Sequence, residues 1–250
     1  MTSRPARRDS TPPYPIGTVW ERTLDLVFPP SCVGCRKVGR WICSNCWTGV
    51  DWHAAGRCRG CGALWPQDTC FRCSGTDSSL DSLVAITHFT GTAREAVHGL
   101  KYHGHHAISS MMGRLMAGAV TEFPIDKVVP VPLHAARRRE RGYDQAALLA
   151  CQIATTLELY HDPHALRRLR RTRQQVELSG EVRRRNVVGA FEARDSLLGQ
   201  TVLLVDDVVT TGATMLAAAA AARAAGAARV QGIAFASALD RDLIPDEAGS

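Results

Sequence analysis

Hydrophobic and polar positions change rhythm several times along the chain, and each change marks an expected element. From about Leu83, "SLVAITHF" reads as a strand, and "TAREAVHGLKY" predicts a short helix. Thr92 is its expected N-cap, with Glu95 three residues on in the reciprocal pattern of a capping box. "AISSMMGRLMAGAVTEF" predicts a second helix, and "DKVVPVPLH" a strand that runs into a loop. In "YDQAALLACQIATTLEL" the apolar residues recur with the 3.6 period of a helix that buries one face. "ALRRLRR" suggests a short strand, whereas "TRQQVELSGEVRRRN" is polar and expected to be a mobile loop. "TVLLVDD" is a short continuous apolar run, as in a strand covered on both faces. "TMLAAAAAARAAGA" then predicts a helix closed by Gly226 in a left-handed cap, and "ARVQGIAFASAL" a further strand. Strands that alternate with helices predict an α/β domain with an open parallel sheet over residues 80–238.

The two ends have a different texture. Residues 1–16 are rich in Pro, Ser, Thr and Arg and are expected to be disordered. Residues 17–30 predict a lead-in helix, with Val19, Leu24, Leu26 and Val27 at roughly helical spacing before Pro29-Pro30 stops them. Residues 239–250 read as a flexible tail.

Composition narrows the class. At 250 residues the chain allows one large domain, or one medium domain plus a small one, and 45% hydrophobic content is enough for a core. No run of 18 apolar residues is present, so no membrane span is expected. The basic start lacks an apolar signal-peptide region, which points to a cytoplasmic protein. The net charge of +6 is unevenly placed: Arg137–Arg185 contains 12 Arg against 6 Asp or Glu, a local excess equal to the whole. Such a zone suits phosphate groups or nucleic acid, although an Arg-rich solvated surface has the same composition.

Eight of the nine cysteines form four Cys-x-x-Cys pairs: Cys32/Cys35, Cys43/Cys46, Cys58/Cys61 and Cys70/Cys73. A Cys-x-x-Cys turn offers two thiolates from one bend, so two turns complete a tetrahedral zinc site. Sequential pairing assigns Cys32, Cys35, Cys43 and Cys46 to one ion and Cys58, Cys61, Cys70 and Cys73 to another; pairing of the first turn with the third stays open. Residues 31–78 are therefore expected to be a metal-stabilised module too small to fold on a core alone. Four-thiolate sites are closed, so zinc here is structural. Trp41, Trp47, Trp52 and Trp65 suit small-core packing or, alternatively, stacking of unpaired bases. His53 reads as a surface residue and Cys151 as a packed helix residue. The His98, His103, His105 and His106 group is not read as a metal site.

The stretch "TVLLVDDVVTTGATM" carries the sharpest chemistry. A central strand delivers Asp206 and Asp207 to its carboxyl end, where open α/β sheets bind ligands. Adjacent carboxylates suit the two hydroxyls of a vicinal diol. The loop Thr210, Thr211, Gly212, Ala213 and Thr214 offers hydroxyls and a helix N-terminus to a phosphate. It is neither a Walker loop, since no Lys-Ser or Lys-Thr follows the glycine, nor a dinucleotide fingerprint.

"VLLVDDVVTTGAT" resembles the phosphoribosyl-pyrophosphate (PRPP) motif of type I phosphoribosyltransferases. With "LVFPPSC", the cysteine pairs, "LKYHG", "VPVPLHAARRRERGYDQAALLA" and "RTRQQVELSGEVRRRN", residues 23–238 resemble the ComF family, in which a double zinc ribbon precedes such a domain. Asp144 departs from the pattern, where the family more often has Asn. The resemblance implies a type I phosphoribosyltransferase fold and Mg2+-dependent pentosyl transfer linked to DNA uptake or single-stranded DNA processing. It implies that Asp206 and Asp207 take the ribose hydroxyls and residues 210–214 the 5-phosphate. Lys101 and the loop bearing Arg137, Arg138, Arg139 and Arg141 would lie near the pyrophosphate. Gln175, Arg184 and Asn186 would belong to a closing loop. Implied partners are PRPP, single-stranded DNA and other DNA-uptake proteins. The alternatives are a non-catalytic single-stranded nucleic-acid-binding protein and a PRPP-sensing regulator.

Overall fold

A computed structural model describes residues 29–52, 79–102, 106–120, 124–169 and 189–238. The expected lead-in helix, the second cysteine set, the polar loop and the tail lie outside the described residues. In chain order the elements are α1 (Ser44–Thr48), β1 (Ser82–His88), α2 (Gly91–Tyr102), α3 (His106–Gly118), β2 (Lys127–Pro130), α4 (Ala135–Arg141) and α5 (Gln145–Leu157). They continue with β3 (Leu166–Arg168), β4 (Phe191–Ala193), β5 (Thr201–Val209), α6 (Ala213–Ala224) and β6 (Arg229–Ser237).

Four strands form one parallel sheet in the order β1-β6-β5-β2. β5 is central, pairing Val202 with Val230 on one side and with Lys127 on the other. Its burial is nearly continuous, as the unbroken apolar run requires of a strand covered on both faces. Leu203 and Val205 face a layer made by α2, α3 and α5, with Val97, Leu100, Ile108, Met112, Leu149 and Ile153 at its centre. Val202 and Leu204 face α6. The buried face of α6 is Ala213, Met215, Ala218, Ala219 and Ala222, small side chains that let the helix lie close to the sheet. It ends as its sequence requires: Gly226 has φ 94°, and the N–H groups of Gly226 and Ala227 donate to the carbonyls of Arg223 and Ala222.

Three details differ from the sequence reading. α2 begins at Gly91, so Thr92 lies inside the first turn rather than capping it; a Cβ on Gly34 would sit 3.2 Å from the Thr92 hydroxyl, which therefore faces the cysteine module. The arginines after β2 sit on the short helix α4, not in a loop; His134 Nδ1 accepts from the Ala136 N–H and Gly142 closes the helix at φ 79°. Finally, β3 and β4 form a separate antiparallel pair beside α6. β4 is only three residues long, too short for a periodic signal.

The first cysteine module rests on the α2 side of the sheet. Ile42 and Val50 join the same core as Ile86 and Val97. The His88 N–H donates to the Asp51 carbonyl at 2.9 Å, and Trp52 bridges Thr87 of β1. Trp47 meets Trp52 edge-on at 4.9 Å and packs with Trp41 against the core. No helix among the described residues is long and apolar enough to cross a membrane.

Candidate functional site

All four sheet strands point the same way, so their carboxyl ends form one edge. The connection leaving β5 enters α6 on one face, while the one leaving β2 enters α4 and α5 on the other. Between two such departures an open sheet leaves a crevice. The carboxyl ends of β5 and β2 flank it, tied by the Val131 N–H to the Val205 carbonyl at 2.9 Å.

Asp206 and Asp207 both fall inside β5, which extends to Val209 rather than ending at the acid pair. Successive strand residues face opposite sides of a sheet, so the two carboxylates diverge. Asp207 turns to the α2 layer, where its Oδ1 meets Lys101 Nζ at 3.0 Å. Asp206 stays partly exposed, and its Oδ1 accepts the Asp207 N–H at 2.8 Å. Burial, then the neighbouring Asp207 charge, push the Asp206 carboxyl up to about 8, against the opposing pull of that N–H and of Lys101.

A third carboxyl stands nearby. Asp144 caps α5, its Oδ1 accepting the Ala147 N–H at 3.3 Å and its Oδ2 the Leu133 N–H at 3.1 Å. Burial raises its pKa, the two N–H groups oppose the rise, and Asp207 adds to it. Sequence reasoning marked Asp144 only as a departure from a pattern.

Beyond β5 the chain turns through Thr210, which is exposed, and Thr211, whose Oγ1 accepts the Ala213 N–H at 3.4 Å. Gly212 holds φ 76°, a left-handed conformation that a side chain would strain, and starts α6. Gly212 itself provides no side-chain cap, so past the Ala213 amide held by Thr211 the helix presents its positive pole at the strand end. This is the local chemistry of an anion site.

Of the α4 arginines, Arg138 and Arg139 are exposed and Arg137 is half-buried. Arg141 Nη1 donates to Gln145 Oε1 at 3.0 Å, and its guanidinium lies 5.1 Å from the centre of the Tyr102 ring. Arg168 on β3 is a cation the sequence reading did not single out. Burial, then the Arg137 charge, lower its pKa, while Asp206 draws it up, so both neighbours lie within electrostatic reach. Gln175, Arg184 and Asn186 lie outside the described residues. His98 sits between the rings of Phe89 and Tyr102, at 5.9 and 5.7 Å. His53, Trp65, His103 and His105 are outside the described residues, and Cys151 is buried on α5.

In the N-terminal module the sulfurs of Cys32, Cys35, Cys43 and Cys46 lie within 4.8 Å of one another. A tetrahedron with Zn–S bonds of about 2.3 Å needs sulfurs about 3.8 Å apart, so the set fits the ion. The module prepares thiolates by itself. Burial works against ionisation of Cys32, but N–H groups of Cys35, Cys43 and Gly34 bring it down to about 6. Cys46 is pushed up to about 12, first by its hydrogen bond with the Cys43 sulfur, then by burial and by the Cys32 and Cys35 sulfurs, so a cation is needed to draw off its proton. This grouping is the sequential pairing for the first two turns; Cys58, Cys61, Cys70 and Cys73 lie outside the described residues.

Comparison with known proteins agrees with this two-part organisation. A double zinc ribbon domain model matches residues 23–76, and a phosphoribosyl transferase domain model matches residues 144–247. DNA utilization protein YhgH of Salmonella typhi is 34% identical over 219 residues, 82% of this chain and 96% of that protein. Competence protein F of Haemophilus influenzae is 28% identical over 213 residues, covering 80% and 87%. A solved glutamine PRPP amidotransferase of B. subtilis, complexed with ADP and GMP, superposes with a TM-score of 0.37 at 22% identity, over 51% of this chain and 26% of that one. With a zinc-ribbon module ahead of a phosphoribosyltransferase domain, and relatives aligned along most of both lengths, this chain belongs to the ComF family.

Proposed function

We propose that the protein binds PRPP at the carboxyl end of β5 and transfers its phosphoribosyl group, in the service of DNA uptake or the handling of internalised single strands in the cytoplasm. The observation that carries this reading is the continuous segment from Asp206 to Thr214: two carboxylates, a left-handed glycine and a helix start follow one another at the crevice. Asp206 and Asp207 would accept the ribose hydroxyls, while Thr210, Thr211, Gly212, Ala213 and Thr214 would hold the 5-phosphate. Hydrogen bonds to a charged group contribute about 1.5–3 kcal/mol each, so a few suffice for firm binding.

Lys101, Arg137, Arg138, Arg139 and Arg141 would balance the pyrophosphate, joined by Gln175, Arg184 and Asn186 from the segment after β3. Magnesium prefers hard oxygen ligands; it would be carried on the pyrophosphate oxygens, with the partly exposed Asp206 carboxylate as the ligand the chain itself would offer, and when bound it would neutralise charge on the leaving group. The residues of the chain itself orient the sugar and stabilise departing pyrophosphate by preplaced positive charge. We further assign structural zinc to the Cys32, Cys35, Cys43 and Cys46 set and to the Cys58, Cys61, Cys70 and Cys73 set, in a module spanning 31–78 ahead of a domain spanning 80–238.

Asp206→Asn combined with Asp207→Asn tests the site. Calorimetry with PRPP and Mg2+ should show binding to the native protein and none to the variant, with an unchanged circular dichroism spectrum. Equal affinity in the two removes the assignment. Release of pyrophosphate, screened across nucleobases and single-stranded DNA fragments, tests transfer.

A second reading, a single-stranded nucleic-acid-binding protein that uses PRPP as a regulator, is favoured by one observation. Tyr102 is 64% exposed and sits between Arg141 and His98, a cationic aromatic surface suited to stacking unpaired bases. Salt-dependent binding of an oligonucleotide that Tyr102→Ala weakens would support it; binding indifferent to both salt and Tyr102 would not.

A further inference from the structure

The turn between α4 and α5, "GYD" at residues 142–144, has no place in the ligand contacts just assigned, yet it is tied to both sides of the acid pair. Its Tyr143 is 7% exposed and donates its hydroxyl to the Leu100 carbonyl at 2.5 Å. Leu100 lies in the last turn of α2, where carbonyls lack helical partners. The next residue is Lys101, the partner of Asp207. Asp144 reaches the other way: its Oδ2 takes the N–H of Leu133, in the segment that leads from β2 to Arg137, while its Oδ1 takes the Ala147 N–H.

Geometry and chemistry both single out these two side chains. Gly142, at φ 79°, reverses the chain just before them. Arg141 lies over Tyr102 and donates to Gln145, so the residues on either side of the Tyr143–Asp144 step also bind the α2 end to the start of α5. A carboxylate accepts on both oxygens, whereas an asparagine has one oxygen and two N–H donors. Asp144 can therefore hold both amides at once, one on each oxygen; Asn in the same rotamer would meet one of them with its NH2 group.

We propose that Tyr143 and Asp144 are positioning residues, a two-sided clasp that sets Lys101 on one flank of Asp206 and Asp207 and the Leu133–Arg137 segment on the other. Neither touches the sugar phosphate. Tyr143 acts through Lys101, and Asp144 acts through the backbone at Leu133. The consequence for affinity rests on the PRPP-binding reading; the clasp itself does not.

Two measurements on the full, zinc-loaded chain test it. Without ligand, Asp144→Ala should speed amide hydrogen exchange at Leu133 by about tenfold or more, Asp144→Asn should restore part of the protection, and Tyr143→Phe should speed exchange in the last turn of α2. With PRPP and Mg2+, Tyr143→Phe should weaken binding by about tenfold, the loss of one well-made hydrogen bond, and Asp144→Ala, which loses two, by at least about as much. In a Lys101→Met background, Tyr143→Phe should add less than about twofold, because coupled residues do not act additively. Unchanged exchange at both places overturns the clasp, and so does full additivity of Tyr143→Phe with Lys101→Met. If the native protein ignores PRPP while the exchange rates move as expected, the clasp stands and the proposed function falls.

Discussion

Lys101 Nζ lies 3.0 Å from Asp207 Oδ1, with side chains only 20% and 10% exposed, so the last turn of α2 is pinned by charge to the carboxyl-terminal part of β5. Exposed ion pairs contribute little, but removing one partner of a largely buried pair leaves the other charge uncompensated. Lys101→Met should therefore lower the unfolding free energy by about 1–3 kcal/mol, read from urea melts at pH 7. It should also raise the Asp206 carboxyl further, since the Lys101 charge is one of the influences holding it down. A carbon-detected titration of Asp206 follows that shift directly.

Asp206 itself makes the ligand-free protein sensitive to pH. Its carboxyl rises from an ordinary 3.8 to about 8 on folding, chiefly through burial. The folded state thus binds more protons than the unfolded state between these values, and stability falls as pH rises across that window. The contribution is fully present below the unfolded value and gone above the folded one. Asp206→Asn keeps an oxygen for the Asp207 N–H but cannot ionise. It should match the native protein near pH 4 and exceed it at pH 8 by on the order of 1–3 kcal/mol. Parallel stability curves for the two proteins from pH 4 to 9 would refute this. The gain would come with lost PRPP binding, the usual exchange between stability and a strained site.

The α/β alternation and the parallel sheet were legible because they rest on period and punctuation. "TVLLVDD" is short, continuous and β-branched, as a strand covered on both faces is, and Gly226 marks the end of α6 where a left-handed residue is required. What stayed hidden depends on tertiary contact. Nothing local tells that β5 runs on to Val209, because Val208 and Val209 suit a loop or a strand equally until β6 supplies partners at Ala236 and Ser237. Arg168 looks like one more arginine in a basic run; only the fold carries it toward Asp206. Thr92 had the right spacing for a cap, but the cysteine module packs against that end of α2 and the helix starts two residues earlier than a Thr92 cap would have it, at Gly91.

Gly113 lies where α3 packs tightly against α5. A Cβ there would collide with Gln152 Cβ and stand 3.3 Å from the Leu149 carbonyl, and neither can yield without moving α5. Helix propensity favours alanine over glycine by about 1 kcal/mol, so an isolated helix would gain from the change. Here the clash outweighs it: overpacking costs about 1–3 kcal/mol or more. Gly113→Ala should lower the melting temperature, and a crystal structure should show α3 displaced from α5. A variant as stable as the native protein would mean that the two helices have room to part.

Gly34 offers the sharpest test of the metal module, because it separates the first zinc set from the second. It lies between Cys32 and Cys35, and a Cβ added to it would come 2.9 Å from Cys46 Sγ and 3.2 Å from the Thr92 hydroxyl. The sulfur is not the free tip of a flexible chain; as a zinc ligand it is fixed by the other three. Gly34→Ala must therefore either push Cys46 off the tetrahedron or lift the module from α2. Native protein, purified reduced, should carry about two zinc ions, one for each set of four cysteines. Under challenge by a colorimetric chelator, Gly34→Ala should release one of them at least about tenfold faster, with the other unchanged. Cys46→Ser should retain about one. Because Ile42 and Val50 of this module belong to the core that also holds Val97 and Leu100, loss of the first zinc should lower the melting temperature of the whole domain rather than produce a separate early transition. Two independent transitions, or equal release from both sites, would show that the first ribbon neither depends on the Gly34 approach nor supports the sheet beneath it.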